Sequence, residues 1–223
     1  MVTAMIKIEI TTKIGTRNKT SRWSAFFGLL CLALVASSAQ AQTDVALSLY
    51  GAFNGSTNGH GVKQSPSNQA GGMLELRHIS NPIIGYDVTY SYNRANQAYS
   101  LFPVPFSCPT SGCPSPAAVS ANAHELTGDY VVSVHIANLR PFALGGVGLL
   151  FNQPAGGQSN TTSSTKPVFI YGAGLDWGLL PHIGLRLQYR GNLFKAPDLT
   201  KLYTSTGAFT HSAEPMLGAY FRF

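Results

Sequence analysis

From residue 42 onward the chain alternates apolar and polar residues with a period of two, the repeat of a β-strand. In IIGYDVTYSYN, Ile84, Tyr86, Val88, Tyr90 and Tyr92 fall on one face, and Gly85, Asp87, Thr89, Ser91 and Asn93 on the other. HELTGDYVVSVHI sets Leu126, Tyr130, Val132, Val134 and Ile136 against Glu125, Thr127, Asp129, Ser133 and His135. PVFIYGAGLDW sets Phe169, Tyr171, Ala173, Leu175 and Trp177 against Gly172, Gly174 and Asp176. IGLRLQYR sets Ile183, Leu185, Leu187 and Tyr189 against Gly184, Arg186, Gln188 and Arg190. EPMLGAYFRF sets Leu217, Ala219, Phe221 and Phe223 against Glu214, Gly218 and Arg222. Three further segments alternate less cleanly. VALSLYGAF places Val45, Leu47, Leu49 and Phe53 opposite Ser48 and Tyr50, and GGMLELRHI places Leu74 and Leu76 opposite Glu75 and Arg77. PFALGGVGLLF is apolar on both faces, so its facing is open.

The pattern predicts eight strands with connections of two kinds. Tight turns are expected around Asn81-Pro82, Asn138 to Pro141 and Leu180 to His182. Longer loops, rich in Gly, Ser, Asn, Thr and Pro, are expected from about Asn54 to Ala70, Arg94 to Ala121, Asn152 to Lys166 and Gly191 to His211. Long loops on one side and short turns on the other describe an eight-stranded antiparallel up-and-down barrel of the transmembrane type. A sandwich with Greek-key crossings would not keep so regular a rhythm.

Charge placement sharpens this reading. Beyond residue 41, Asp44, Glu75, Asp87, Glu125, Asp129, Asp176 and Glu214 all take the non-aliphatic parity, as do Arg77, Arg140, Arg186, Arg190 and Arg222, while Asp198 lies in a loop. Lys63, Lys166, Lys195 and Lys201 lie in the long loops or at their edges. A water-soluble barrel points its apolar face inward, and a barrel in lipid points it outward. Parity alone does not say which face is out. Strands of about 9–11 residues match a tilted crossing of the hydrocarbon layer. Phe53, Tyr92, Phe151, Trp177, Tyr189 and Phe223 near strand ends suit interfacial girdles.

The first 41 residues read differently. A basic stretch is followed by an apolar core from about Trp23 to Ala36 and then by Ala39-Gln40-Ala41, the small-x-small pattern of signal peptidase. That order describes a cleavable signal peptide, residues 1–41, cut after Ala41, ahead of a barrel domain over 42–223. A buried N-terminal helix is the competing reading. Cys31 follows Leu29-Leu30, which is not a lipoprotein signal, and Met5 is open as an alternative start. This segment also explains the formal charge of +6, because it carries five bases and one acid. The remainder is only slightly basic, so no nucleic-acid partner is expected. Charged residues make up 11% of the chain and aromatics another 11%, which excludes a disordered chain and a coiled coil.

Beyond the leader the cysteines are Cys108 and Cys113, in the loop CPTSGC. Export permits a disulfide between them, and free thiols are the alternative. No second Cys or His pair completes a zinc site, and His124, His135, His182 and His211 are scattered. Neither a metal nor another cofactor is expected.

With its signal-like leader, strand rhythm and C-terminal AYFRF, the chain resembles the small eight-stranded outer-membrane β-barrels of Gram-negative bacteria, the outer membrane protein A, W and X type. The resemblance covers about residues 43 to 223. It implies location in the cell outer membrane after export through the periplasm. Expected partners are outer-membrane lipids and lipopolysaccharide, and, during biogenesis, periplasmic chaperones and the barrel-assembly machinery. Phe223, Phe221 and Ala219 match the terminal pattern that this machinery reads, and no further domain is expected after Phe223.

An eight-stranded barrel is just filled by its own side chains. The expectation is therefore a lumen plugged by an ion-pair network of Glu75, Arg77, Asp87, Glu125, Asp129, Asp176, Arg186, Arg190, Glu214 and Arg222, with no catalytic centre. A narrow path for small or hydrophobic solutes past Glu75, Glu125, Asp129, Arg186 and Arg190, as in the outer membrane protein W type, is the second reading. A lipid A-modifying enzyme is the third, since His78-Ile79-Ser80 is a His-x-Ser pair, though beside a tight turn and without an acidic partner. The long loops are the expected interaction surface. The second, with Phe102, Phe106 and the two cysteines, is either a rigid binding knob or a protease-resistant loop without a ligand.

Overall fold

The computed structural model describes residues 42–101 and 117–223. The leader with Ala39 and Ala41, and the loop with Phe102, Phe106, Cys108 and Cys113, lie outside the described residues. Eight strands form the barrel: β1 (Gln42–Asn54), β4 (Gln69–Ile79), β5 (Ile84–Leu101), β6 (Ala117–Ser133), β7 (Leu139–Pro154), β8 (Ser164–Gly178), β9 (Ile183–Lys195) and β10 (Phe209–Arg222). Two short strands, β2 (Thr57–Gly59) and β3 (Val62–Pro66), belong to the first long loop. Each barrel strand pairs antiparallel with its neighbour in sequence, and β10 returns to β1, with Phe221 opposite Val45 and Leu217 opposite Leu49. The sheet is therefore closed, and no barrel strand keeps a free edge.

The strand faces settle the orientation. Leu47, Leu49 and Tyr130 are 66, 74 and 75% exposed on the outside, whereas Arg77, Arg186 and Arg190 are fully buried inside. Val132, Leu185 and Leu187 point outward, and Asp129 and Arg186 inward. The barrel is inside-out relative to a water-soluble carrier, the arrangement that hydrocarbon imposes. Of the girdle aromatics, Phe53, Tyr92, Trp177, Tyr189 and Phe223 are exposed, while Phe151 is half-buried. Towards the loop end Tyr90 and Tyr171 share hydrogen bonds of 2.8 and 2.9 Å with His124 and His211.

The tight turns sit close to their expected places. Asn81 closes the first by accepting at its Oδ1 from the Ile83 and Ile84 amides, at 3.0 and 2.7 Å, an Asx turn. Ile136 and Leu139 exchange backbone bonds across the second, and Leu180 and Ile183 across the third. The long loops are shorter than the sequence implies. β5 runs 18 residues and β6 17, both extending well into the expected loop from Arg94 to Ala121. The reason is physical. In the extension Arg94 and Asn96 occupy the outward face while Ala95, Gln97 and Tyr99 face in. A strand that continues beyond the apolar belt meets water outside, so the apolar-polar contrast that marks it disappears.

The first long loop folds back as the β2–β3 hairpin. Its two-residue turn, His60-Gly61, has φ of 49° and 75°, the left-handed pair of a type I′ turn. β3 then pairs with the upper part of β5, from Val62 opposite Leu101 to Pro66 opposite Gln97.

The open facing of PFALGGVGLLF resolves with Phe142, Leu144 and Leu150 inward and Val147 and Leu149 outward. The inner wall is thus not uniformly polar, a departure from the expectation. Phe142, Leu144 and Leu150 join Ile79, Val131, Val168, Ile170 and Phe194 in a buried apolar cluster inside the barrel.

Three substitutions test this architecture. Leu187→Arg places a charge on the apolar belt and should cost about 2–4 kcal/mol of folding free energy in lipid vesicles, read from urea titration of heat-modifiable gel migration. Gly174 faces inward, and a Cβ there would strike the Phe142 ring and come within 2.6 Å of the Leu187 carbonyl. Gly174→Val should cost about 1–3 kcal/mol by overpacking in the same assay. Gly128→Val, where a Cβ meets nothing within 4 Å, should leave the midpoint unchanged.

Candidate functional site

The lumen concentrates most of the chain's chemistry, because every second residue of eight strands points into one narrow space. Near the turn end, three arginines and four carboxylates form a continuous layer. Arg186 on β9 donates through Nε to Asp176 Oδ1 at 2.7 Å and through Nη2 to Asp44 Oδ1 at 2.9 Å, and also reaches Glu75. Those partners lie on β8, β1 and β4, so one guanidinium ties distant walls together. Arg77 on β4 holds Glu75 at 2.8 Å and Asp87 on β5 at 3.1 Å. Arg140 on β7 places one Nη2 2.9 Å from both Asp44 and Asp176. The Phe142 ring lies under this layer, its centroid 4.0 Å from the Arg77 guanidinium carbon, a buried cation–π contact.

One step towards the loop end, Arg190 forms a second, looser group. Its Nη1 donates to Thr89 Oγ1 at 2.9 Å and its Nη2 to Thr127 Oγ1 at 3.1 Å. The carboxylates of Asp129 and Glu125 stand 3.5 and 3.7 Å away. Asn192 donates through Nδ2 to both oxygens of Glu125, at 3.3 and 3.1 Å.

Of the ten residues expected in the network, the structure brings Glu75, Arg77, Asp87, Asp176 and Arg186 together in the lower layer and Glu125, Asp129 and Arg190 in the upper group. Glu214 is buried beside the upper group, but its contact is with Ser212, whose Oγ donates to Oε1 at 3.2 Å. No ion pair reaches Glu214 among the described residues. Arg222 stands apart at the turn-end mouth, where its Nη2 donates to the Tyr220 hydroxyl at 3.3 Å. It pairs with no carboxylate among the described residues, although Asp44 stands opposite it in the β1–β10 ladder, because the Asp44 carboxylate is turned to Arg140 and Arg186.

Asp44 and Arg140 were missing from the expected network and are central to it. Their polar parity is visible in the sequence. Arg140, however, fell in an expected turn, whereas β7 begins at Leu139. Asp44 lies at the start of β1, where an acid reads as a solvated strand end.

Both ends of the lumen narrow onto these layers. At the turn end a mouth with about 480 Å³ of free volume is bordered by His135, Arg140, Asp176, Tyr220 and Arg222. Partial burial, then the positive charges of Arg140 and Arg222, hold the His135 imidazole below its ordinary pKa. At the loop end a small recess with about 30 Å³ of free volume lies above Arg190 and is lined by Asn54, Asn93, Glu125, Asn152, Asn192 and Glu214 among others. The loops roof this recess. Gln64 and Tyr99 both donate to the Pro197 carbonyl, at 3.0 and 3.1 Å, and Val62, Tyr99, Val119, Ala121 and Leu199 pack into a small apolar core.

The His78–Ser80 pair does not assemble as a catalytic dyad. The His78 Nδ1 shares a 2.9 Å hydrogen bond with Thr43 Oγ1, and the ring lies 5.3 Å from that of Tyr86. Ser80 is exposed in the turn.

Two solved structures share this architecture. Neisserial surface protein A matches with a TM-score of 0.56 at 13% identity, over 82% of this chain and 99% of its own. The outer membrane protein OprG from Pseudomonas aeruginosa matches with a TM-score of 0.55 at 10% identity, over 83% of this chain and 97% of its own. At such identities the likeness speaks for the fold alone. No curated protein matches by sequence. The family described as the outer membrane protein beta-barrel domain matches residues 27–213. With its closed eight-stranded sheet, apolar outer face and charged interior, the chain belongs to that family of outer-membrane β-barrels.

Proposed function

We propose that the protein is a plugged outer-membrane barrel with a structural and interactive role. Its exterior is bedded in outer-membrane lipid and lipopolysaccharide, and its long extracellular loops form the interaction surface. The observation that carries this reading is the Arg186 crosslink, a fully buried guanidinium joining β9 to β8, β1 and β4 through the middle of the lumen. A solute crossing the barrel would have to separate these pairs, and breaking a buried pair by removing one partner costs about 3–5 kcal/mol. The loop roof adds a second barrier over the lumen. The family supports a place in the outer membrane of a Gram-negative cell. In this reading residues 1–41 are the export signal, and Ala219, Phe221 and Phe223 form the assembly signal. A bridge between Cys108 and Cys113 would stiffen the second loop in the oxidising space outside the cell.

Single-channel recording in planar bilayers tests the plug. The wild-type barrel should show little or no steady conductance. Arg186→Ala, which leaves Asp44, Asp176 and Glu75 without their shared cation, should give discrete openings. Steady wild-type currents would instead support a narrow channel, for which the mouths above and below the ion layers would serve as vestibules.

The enzymatic reading is tested at its own residues. In a strain expressing the protein, His78→Ala and Ser80→Ala should leave the mass spectrum of lipid A unchanged from that of the wild-type strain. An acyl-chain difference abolished by both substitutions would establish catalysis.

A further inference from the structure

The ion layers do not balance. In the lower one, Arg77, Arg140 and Arg186 face Asp44, Glu75, Asp87 and Asp176. In the upper one, Arg190 alone faces Glu125, Asp129 and Glu214, all at least nine-tenths buried. Uncompensated carboxylates inside a barrel that sits in hydrocarbon are costly, because the surrounding medium offers little screening. The surplus is concentrated in the upper group, and two of its three acids, Glu125 and Glu214, line the recess beneath the loops.

The spare groups of the recess are mainly acceptors. Asn192 is 1% exposed, and its Oδ1 has no hydrogen-bond partner. Its orientation is fixed, because its Nδ2 is turned towards the Glu125 carboxylate, which can only accept. Asn93 shows the same pattern, with Nδ2 donating to the Tyr50 hydroxyl at 3.0 Å and Oδ1 unpaired, and the Gln69 Oε1 is unpaired as well. Against these three oxygens, one amide donor of the recess, the Asn152 Nδ2, lacks a partner. An anion or a neutral acceptor would find little to bind here.

We propose that this recess binds a hard divalent cation, calcium or magnesium, through the carboxylates of Glu125 and Glu214 and the side-chain carbonyl of Asn192. Oxygen donors of this kind, carboxylates mixed with amide carbonyls, are what such ions take, with water completing the shell. No three His, Cys, Asp or Glu side chains converge on one point among the described residues, so the site depends on the amide oxygen as well as on the acids. The ion would offset the two surplus charges of the upper layer and tie β6 to β9 and β10 beneath the loops. This goes beyond the plug reading and is independent of it, since either a silent or a conducting barrel could hold the ion.

The test is calorimetric titration of the detergent-solubilised barrel with calcium chloride, and separately with magnesium chloride. Saturable binding of one ion is expected, in the range of extracellular calcium modules, about 0.1–1 mM. Glu125→Gln and Glu214→Gln should each weaken it by about 10-fold or more, whereas Asp198→Asn, in a loop ion pair with Lys166, should not. Folding of each variant is checked by heat-modifiable migration. Asn192→Asp adds a carboxylate at the same place and should tighten binding, so the proposal stays falsifiable if the glutamine variants fail to fold. Absence of saturable binding by the wild type overturns it, as does unchanged affinity in Glu125→Gln/Glu214→Gln or in Asn192→Asp.

Discussion

A strand in hydrocarbon can satisfy its amides and carbonyls only with another strand, and the rest of this structure follows from that constraint. It demands that the sheet close, which the β1–β10 ladder accomplishes. Closure at eight strands leaves a bore filled by alternate side chains. Because the outward residues must be apolar to meet acyl chains, most polar groups of the strands are confined to that bore. The crowded interior of arginines and carboxylates is thus a consequence of the exterior.

Such an interior is stable only when its charges are paired. Desolvating a guanidinium or carboxylate costs several kcal/mol, and the attraction between them recovers this only with good geometry and further hydrogen bonds. The lower layer meets that condition, since Asp44 serves two arginines and Asp176 three, and Phe142 supports Arg77 from one side. The upper layer meets it less fully. Arg190 divides its donors between two threonine hydroxyls and more distant acids, and Glu214, though opposite Arg190 in the ladder, makes no ion pair among the described residues. The lumen is therefore graded, tightly knit towards the turns and looser beneath the loops.

The expectations that failed did so where one environment gave way to another. β5 was expected to end at Asn93, the last residue with a lipid-facing tyrosine beside it, yet its ladder with β6 runs on to Tyr99 opposite Ala117. Ile170 and Val131 lie inside, although the neighbouring Gly172 and Asp129 marked that face as polar. Arg222 keeps the inward parity and still misses the network, because its ladder partner Asp44 is taken by Arg140 and Arg186, and parity assigns a face and not a partner.

The sequence alone determined the number of barrel strands, the approximate turn positions, the facing of seven strands and the closed, membrane-type architecture. These follow from a local rule, that neighbouring residues point to opposite sides of a sheet whose two sides meet different media. Tertiary structure alone decided which arginine meets which carboxylate, that Asp44 and Arg140 join the central layer while Arg222 does not, and that Glu214, opposite Arg190 in the ladder, makes no ion pair among the described residues. Those outcomes depend on the stagger between strands and the reach of side chains across the bore, distances between residues as far apart in the chain as Asp44 and Arg186, which no local pattern encodes.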